Sequence, residues 1–365
     1  MKKEVISDRQ AISMVCMFTI GTAMIYGAAR PAEENAWISI ILAALISIPF
    51  QLMYGRLLSH FHSSNFFEFL DIIFGKILGK FFAVLFTWNA VYLASILFRA
   101  VGEFISIAGL DDTPEMLSLS LIVVLSILTL KEGVKPFAKW CEFFIVIVFI
   151  VVGIMIIFLT KLINLDNIVP IMYDGVKPVM QGTIYALGFP FTQDVIFLMF
   201  FDCLKNNNSC YKVLIKGVLL GTIVLFSITF LDISILGKSD FSKAYFPSYM
   251  SLRRLTVGEF FQRIEIAVIL IFMIVGFAKI TSTLFAAVKG ISHLFNVKDY
   301  RTIAAPVTFL ASILGYLAYT DTMDQKTFLK DVYVPYAIII QIVLTSIVFI
   351  VSEIRIRKLE KNNDL

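Results

Sequence analysis

The sequence predicts an all-α integral membrane protein of ten transmembrane helices, built as a five-plus-five inverted repeat with helices 1 and 6 interrupted. Three observations carry that expectation. The chain is 59% hydrophobic and 16% charged, with a mean hydropathy of +0.86, whereas a soluble domain carries about 25% charged residues. Apolar windows of bilayer-spanning length recur ten times along it. The two halves also repeat one pattern of spans with opposite sidedness, as an inverted repeat requires.

The windows fall near residues 10–28, 36–55, 80–108, 116–131, 137–160, 178–201, 213–236, 258–291, 302–319 and 332–353. Lys2 and Lys3 precede the first window as in a signal peptide. That run is too long for a typical apolar signal core and no convincing cleavage site follows, so it reads as a retained first helix. The polar intervals reach roughly 25 residues at most and leave no room for a soluble domain. Residues 1–365 therefore form a single membrane domain, with a first repeat at about 10–160 and a second at about 178–353.

Ten spans place both termini on one side. With the N-terminus inside, Lys and Arg divide 19 to 9 between inner and outer segments, and Arg99, Arg263 and Lys279 lie within spans. The positive-inside bias thus predicts a multi-pass protein with cytoplasmic N- and C-termini. In each half the third span is the longest, and a long connection precedes it. That connection is internal at 56–79 and external at 237–257.

Spans 1 and 6 open the two halves, and both contain helix breakers. Span 1 reads "TIGTAMIYGA" around Gly21; span 6 contains Gly188-Phe189-Pro190. Proline removes an amide hydrogen and clashes with the preceding turn, which frees carbonyls that lipid does not satisfy. Gly and Pro in spans also act as simple kinks or close-packing points. Two interruptions at matching repeat positions point instead to a site near the membrane midplane.

The polar residues within spans are few enough to weigh singly. Span 3 carries Trp88, Tyr92, Ser95 and Arg99 on one helical stripe, with Asn89 beside it. Glu103 follows Arg99 by four residues and is its expected ion-pair partner near the outer end. Trp88, Asn89 and Tyr92 are cavity-lining candidates, although aromatic stripes more often pack. In span 8, Lys279 lies too far from either end to snorkel. It either pairs with a carboxylate of a neighbouring helix, stands in for a bound sodium ion, or holds an anionic ligand group. Asp194, just after the span 6 break, would pair with Lys279, move a proton, or cap a half-helix; spacing does not choose.

Enzymatic constellations are missing from the sequence. There is no phosphate-cradling glycine loop, G-x-S-x-G elbow or HExxH pair. His60, His62 and His293 have no partners at ligand spacing, and Cys16, Cys141, Cys203 and Cys210 show no paired spacing and read as free thiols. No enzyme activity, cofactor or metal is expected.

Five stretches together resemble a known family: "NAWISIILAALIS" (35–47), "NFFEFLDIIFGKILGK" (65–80), "GVKPFAKWCEF" (133–143), "NIVPIMYDGVKPVMQG" (167–182) and "FPSYMSLRRLTVGEFFQRIE" (246–265). Their order and spacing are similar to the spore germination permease family, the B subunits of germinant receptors in endospore-forming bacteria. The resemblance covers nearly the whole chain and implies the leucine-transporter-like fold of the amino acid–polyamine–organocation superfamily. It implies a receptor subunit in the spore inner membrane that binds a small nutrient germinant, an amino acid or similar molecule. Its implied partners are an ion-conducting subunit and a lipoprotein subunit.

The family's pocket between helices 1, 3, 6 and 8 implies a ligand-binding set at matching positions. It comprises Gly21, Thr22, Ala23, Asn89, Tyr92, Leu93, Gly188, Phe189, Phe191, Thr192, Ala278, Lys279 and Ser282, with Asp194 and Lys279 as possible proton or charge-coupling residues. Backbone amides at Gly21–Ala23, aided by the helix dipole, would hold a carboxylate. The chain departs from relatives at "TQD" (192–194), where a Gly-Glu pair is common, and at "AARP" (28–31), where Leu-Pro-Arg is common. A proton-coupled amino acid transporter of the same fold is the alternative. The ordered-looking outer segment 237–257, with Arg253 and Arg254, is the expected partner-facing element.

Overall fold

The computed structural model describes residues 4–60, 65–108, 115–204, 209–255, 259–317 and 327–363. These are nearly all helical, and six helices are long and apolar enough to cross a membrane: Arg30–Ser59, Lys76–Ala108, Val134–Leu162, Cys210–Lys243, Ile266–Leu294 and Leu329–Lys358. Large apolar side chains such as Ile77, Leu121, Ile157 and Leu317 point outward. Such an apolar exterior belongs against lipid.

Helix α1 (Asp8–Ile20) begins where the sequence supplies a capping box, Ser7 with Gln10. It stops at Gly21, whose φ of 24° and ψ of −131° end the helical ladder. A four-residue helix, α2 (Ala23–Tyr26), resumes after Thr22. Helix α3 (Ala36–Ser59) and the short α4 (Phe66–Phe74), capped by Asn65 and Glu68, lead into the 33-residue α5 (Lys76–Ala108). Then follow α6 (Glu115–Glu132), α7 (Val134–Leu159) and α8 (Val176–Ala186). Beyond α8 the chain runs through irregular turns at Leu187–Phe191, Gln193–Met199 and Phe201–Cys203. The remaining helices are α9 (Cys210–Lys243), α10 (Pro247–Arg253), α11 (Glu259–Leu294), α12 (Ala304–Leu317) and α13 (Leu329–Lys358).

The expected spans 10–28 and 178–201 correspond to interrupted helices, and 116–131 and 302–319 to α6 and α12, and among the described residues length and composition alone mark none of the four as a crossing. The described part of the expected 237–257 element, residues 237–255, is more helical than expected of a loop. Helix α9 continues to Lys243 through a kink at Gly237, and α10 follows. Arg254 binds the Ile235 carbonyl and the Asp240 carboxylate, and Arg253 rests over the Tyr249 ring. Both arginines of the expected partner-facing element thus also have local contacts. Arg263, which the sequence places within span 8, and the nearby Glu265 have side chains outside the described residues.

The centre of the fold is α1, packed against α7, α9 and α11. Close approach to α9 needs two glycines: a Cβ at Gly217 would lie 2.5 Å from Val15, and one at Gly221 would lie 2.8 Å from Thr19. Small residues at such crossings let backbones meet where lipid offers no hydrophobic driving force. On the other flank, α5 packs against α11 and α12.

Candidate functional site

The two broken segments meet in the middle of the bundle, between α3, α5, α11 and α13. The second break is held by side chains from distant elements. Thr192 N and Thr192 Oγ1 both donate to the Leu187 carbonyl, at 2.9 and 2.8 Å. Gln51 Nε2 on α3 donates to the Phe191 carbonyl at 2.9 Å and to Asp194 Oδ2 at 3.1 Å. Tyr54 OH donates to the Gln341 carbonyl at 2.8 Å, and the Gln341 amide meets Thr192 Oγ1 at 2.7 Å. Protein groups thus satisfy carbonyls that the break releases, which a buried segment requires.

At the first break, Lys279 of α11 is fully buried and lays its methylene stem directly over Gly21. Any Cβ there would overlap Lys279 Cδ and lie 2.8 Å from the Phe18 carbonyl. The Lys279 ammonium sits 5.0 Å from the Phe18 ring and 4.9 Å from the Phe189 ring. That geometry suits cation–π contact with one aromatic from each broken segment. Lys279 Nζ donates no hydrogen bond to Asp194: Asp194 Oδ2 is taken by Gln51, while Asp194 Oδ1 and Lys279 Nζ both lack hydrogen-bond partners. Of the three roles left open for Asp194, a direct contact with Lys279 is not seen among the described residues, where Phe18 and Phe189 flank the amine, although the two opposite charges still act on each other across the gap.

Between the breaks lies a cavity of about 10 Å3, lined by Thr22, Tyr26, Leu97, Phe189, Gln193 and Tyr333 among others. That volume is the lower limit for one water. Thr22 Oγ1 and Gln193 Oε1 on its wall are buried without partners, as are both amide atoms of Asn89 and Thr281 Oγ1 nearby in sequence to Lys279. Buried polar atoms are ordinarily hydrogen-bonded, so the unsatisfied Thr22 and Gln193 oxygens on this wall, one from each broken segment, mark a place for water or ligand.

Of the expected pocket residues, Thr22, Leu93 and Phe189 line this cavity. Gly21 and Lys279 back it through their mutual contact. Ala23, Phe191, Thr192, Ala278 and Ser282 are buried but do not line it, the last donating to the Ala278 carbonyl. Gly188 faces Val334, and Tyr92 packs against Trp88, Phe328 and Tyr336. Trp88 itself is 51% exposed on the outer surface, so it is no cavity residue. Arg99 and Glu103 form the expected pair at 2.9 Å, and both are buried. Sequence reasoning missed Gln51, Tyr54, Gln193 and Gln341 as supports, and Tyr26 and Tyr333 as walls. A glutamine in an otherwise apolar span is the signal that would have drawn attention to Gln51 and Gln341.

The acidic trio Glu33, Glu34 and Asp174 is close enough to hold a cation. The ammonium of Lys238 already sits among the three, 3.0 Å from Glu33 and 3.3 Å from Glu34 and in contact with Asp174.

A family model described as "Spore germination protein" matches residues 5–325. The chain belongs to the spore germination protein family. Relatives include spore germination protein KB of Bacillus subtilis (strain 168), 26% identical over 329 residues, covering 88% of this chain and 87% of the relative. Another is the putative spore germination protein YfkT of the same organism, 26% identical over 295 residues and 80% of each chain. Among solved structures, MhsT in complex with L-phenylalanine superimposes with a TM-score of 0.70 at 12% identity, covering 93% of this chain and 89% of that one. Mhp1, a nucleobase-cation-symport-1 family transporter with bromovinylhydantoin bound, gives 0.66 at 10% identity, covering 93% and 78%. The fold is thus that of a multi-pass membrane transporter, and family and fold are those of permeases or receptors.

Proposed function

We infer that this chain is the germinant-sensing subunit of a spore germination receptor. It binds a small nutrient, an amino acid, between the two helix breaks and passes the resulting conformational change to an ion-conducting and a lipoprotein subunit. In this reading it crosses the spore inner membrane ten times as two inverted five-helix repeats, with both termini cytoplasmic. The observation that carries the reading is the pair of unsatisfied groups on the cavity wall, in a chain of this family. Thr22 Oγ1 is free to donate to a carboxylate, and Gln193 Oε1 is free to accept from an ammonium. Helix α2 has only four residues, too few for a strong dipole, so the Thr22 hydroxyl replaces the helix terminus as the main carboxylate donor.

A cavity of about 10 Å3 does not admit an amino acid, so binding requires the walls to part. A ligand that fits only the opened form shifts the population towards it, which is the signal. Tyr333, bonded to Gln193 Nε2 at 2.6 Å, and Phe189 are the walls that must move.

The second reading, a proton-coupled amino acid transporter, is favoured by the buried and unpartnered Lys279 amine. Purified protein in proteoliposomes separates the two. The receptor reading expects saturable amino acid binding without accumulation. Gradient-driven uptake by this chain alone would establish the transporter and overturn the pure receptor.

A further inference from the structure

Away from the cavity, on the face of α9 that meets α10, Ser248 Oγ lies 2.6 Å from Asp232 Oδ2 and 2.6 Å from the Met24 carbonyl oxygen. A hydroxyl has one hydrogen to give. Were Asp232 ionised, Ser248 would face two pure acceptors at short range, and one contact would have no hydrogen between its oxygens. Both contacts are satisfied only when Asp232 is protonated. It then donates to Ser248 Oγ, which donates to the Met24 carbonyl.

We propose that Asp232 is a proton-binding site that latches the half-helix beyond the first break to α10. Asp232 is 2% exposed, and the Ser248 side chain is buried with it. The alternative state has its donors in place. Ser251, one turn along α10, is buried, and the group its hydroxyl faces is the same carboxyl. When the proton leaves to water, Ser248 turns its hydrogen to the carboxylate and Ser251 supplies a second. The Met24 carbonyl then loses the Ser248 donor. Met24 belongs to α2, between Thr22 and Tyr26 of the cavity wall. Protonation therefore ties that wall to α10, and deprotonation frees it.

Charged groups on the elements around α9 are engaged elsewhere. Arg30 donates to the carbonyls of Ser242, Ala244 and Tyr245. Glu33 and Glu34 pair with Lys238, and Arg254 with Asp240. Arg253 lies over Tyr249, Tyr26 OH donates to Ala100, and Tyr249 OH donates to Ala108. Lys161 and Asp166 are exposed. On α1 and α3, Asp8 bonds Ser209, Arg9 pairs with Glu142 and Arg56 with Glu353, all toward the other end of α9.

The test uses the full chain in lipid nanodiscs from about pH 5 to about pH 9, a range that begins just above the ordinary carboxylate value. Infrared spectra should show a carboxylic acid C=O band at low pH that is missing in Asp232→Asn and fades as pH rises. Over the same range, hydrogen exchange at residues 22–27, corrected for its intrinsic pH dependence, should lose about tenfold protection. Asp232→Asn, whose amide donates to Ser248 permanently, should stay protected throughout. Ser248→Ala, which breaks the relay and leaves the carboxyl, should be unprotected at every pH. No acid band at any pH overturns the proposal. So does wild-type pH dependence of exchange in either variant.

Discussion

Gly21→Ala is the sharpest perturbation of the first break. Gly21 has φ of +24°, a conformation that costs an L-residue about 1–2 kcal/mol. The added methyl also overlaps Lys279 Cδ and lies 2.8 Å from the Phe18 carbonyl, which adds about 1–3 kcal/mol of overpacking. Together the loss is about 2–5 kcal/mol, read as the change in unfolding free energy of the purified protein in mixed micelles. Only the overlap with the lysine stem is removable. Lys279→Ala should therefore recover about 1 kcal/mol or more in the double variant while the φ cost persists. A Gly21→Ala protein within about 0.5 kcal/mol of wild type, or additive effects in the double variant, would refute the packing of Lys279 over this break.

Gln51→Ala leaves the Phe191 carbonyl and Asp194 Oδ2 without the Gln51 donor and should cost about 1–3 kcal/mol in the same unfolding assay; Gln51→Glu should fare worse, since it sets a second carboxylate beside Asp194. Glu103→Ala removes a buried charged acceptor of Arg99 Nε and should cost about 1–3 kcal/mol, whereas Glu103→Gln keeps an acceptor and should lose less. Thr22→Val keeps the shape of the cavity wall and deletes its donor. It should weaken amino acid binding about tenfold, measured by equilibrium binding, with unfolding unchanged.

Both breaks were legible because glycine and proline announce themselves locally, and so was Arg99–Glu103, a contact one helical turn long. The supports of the second break were not. Gln51 and Gln341 reach it across 140 and 149 residues of sequence to Phe191 and Thr192, and no periodicity encodes which distant helix supplies a donor. Trp88 misled for a related reason. Trp88 and Arg99 lie on one helical stripe of α5, yet Arg99 is buried while Trp88 is exposed, and which parts of a stripe the other helices cover is not written in its spacing. Asp194 and Lys279 show the limit of charge arguments: spacing left a pair, a proton carrier and a cap all open, and it could not show that Phe18 and Phe189 flank the amine. The 13-residue α1 and 11-residue α8 escape a length criterion for the same reason they matter, since a broken helix is a short one.

The central claim is that an amino acid binds between the two breaks. A structure of the protein determined in a lipid bilayer with a saturating amino acid tests it most directly. The account predicts ligand density touching Thr22 and Gln193, with Phe189 and Tyr333 displaced to enlarge the cavity. Ligand density elsewhere, with that cavity still closed, would contradict it.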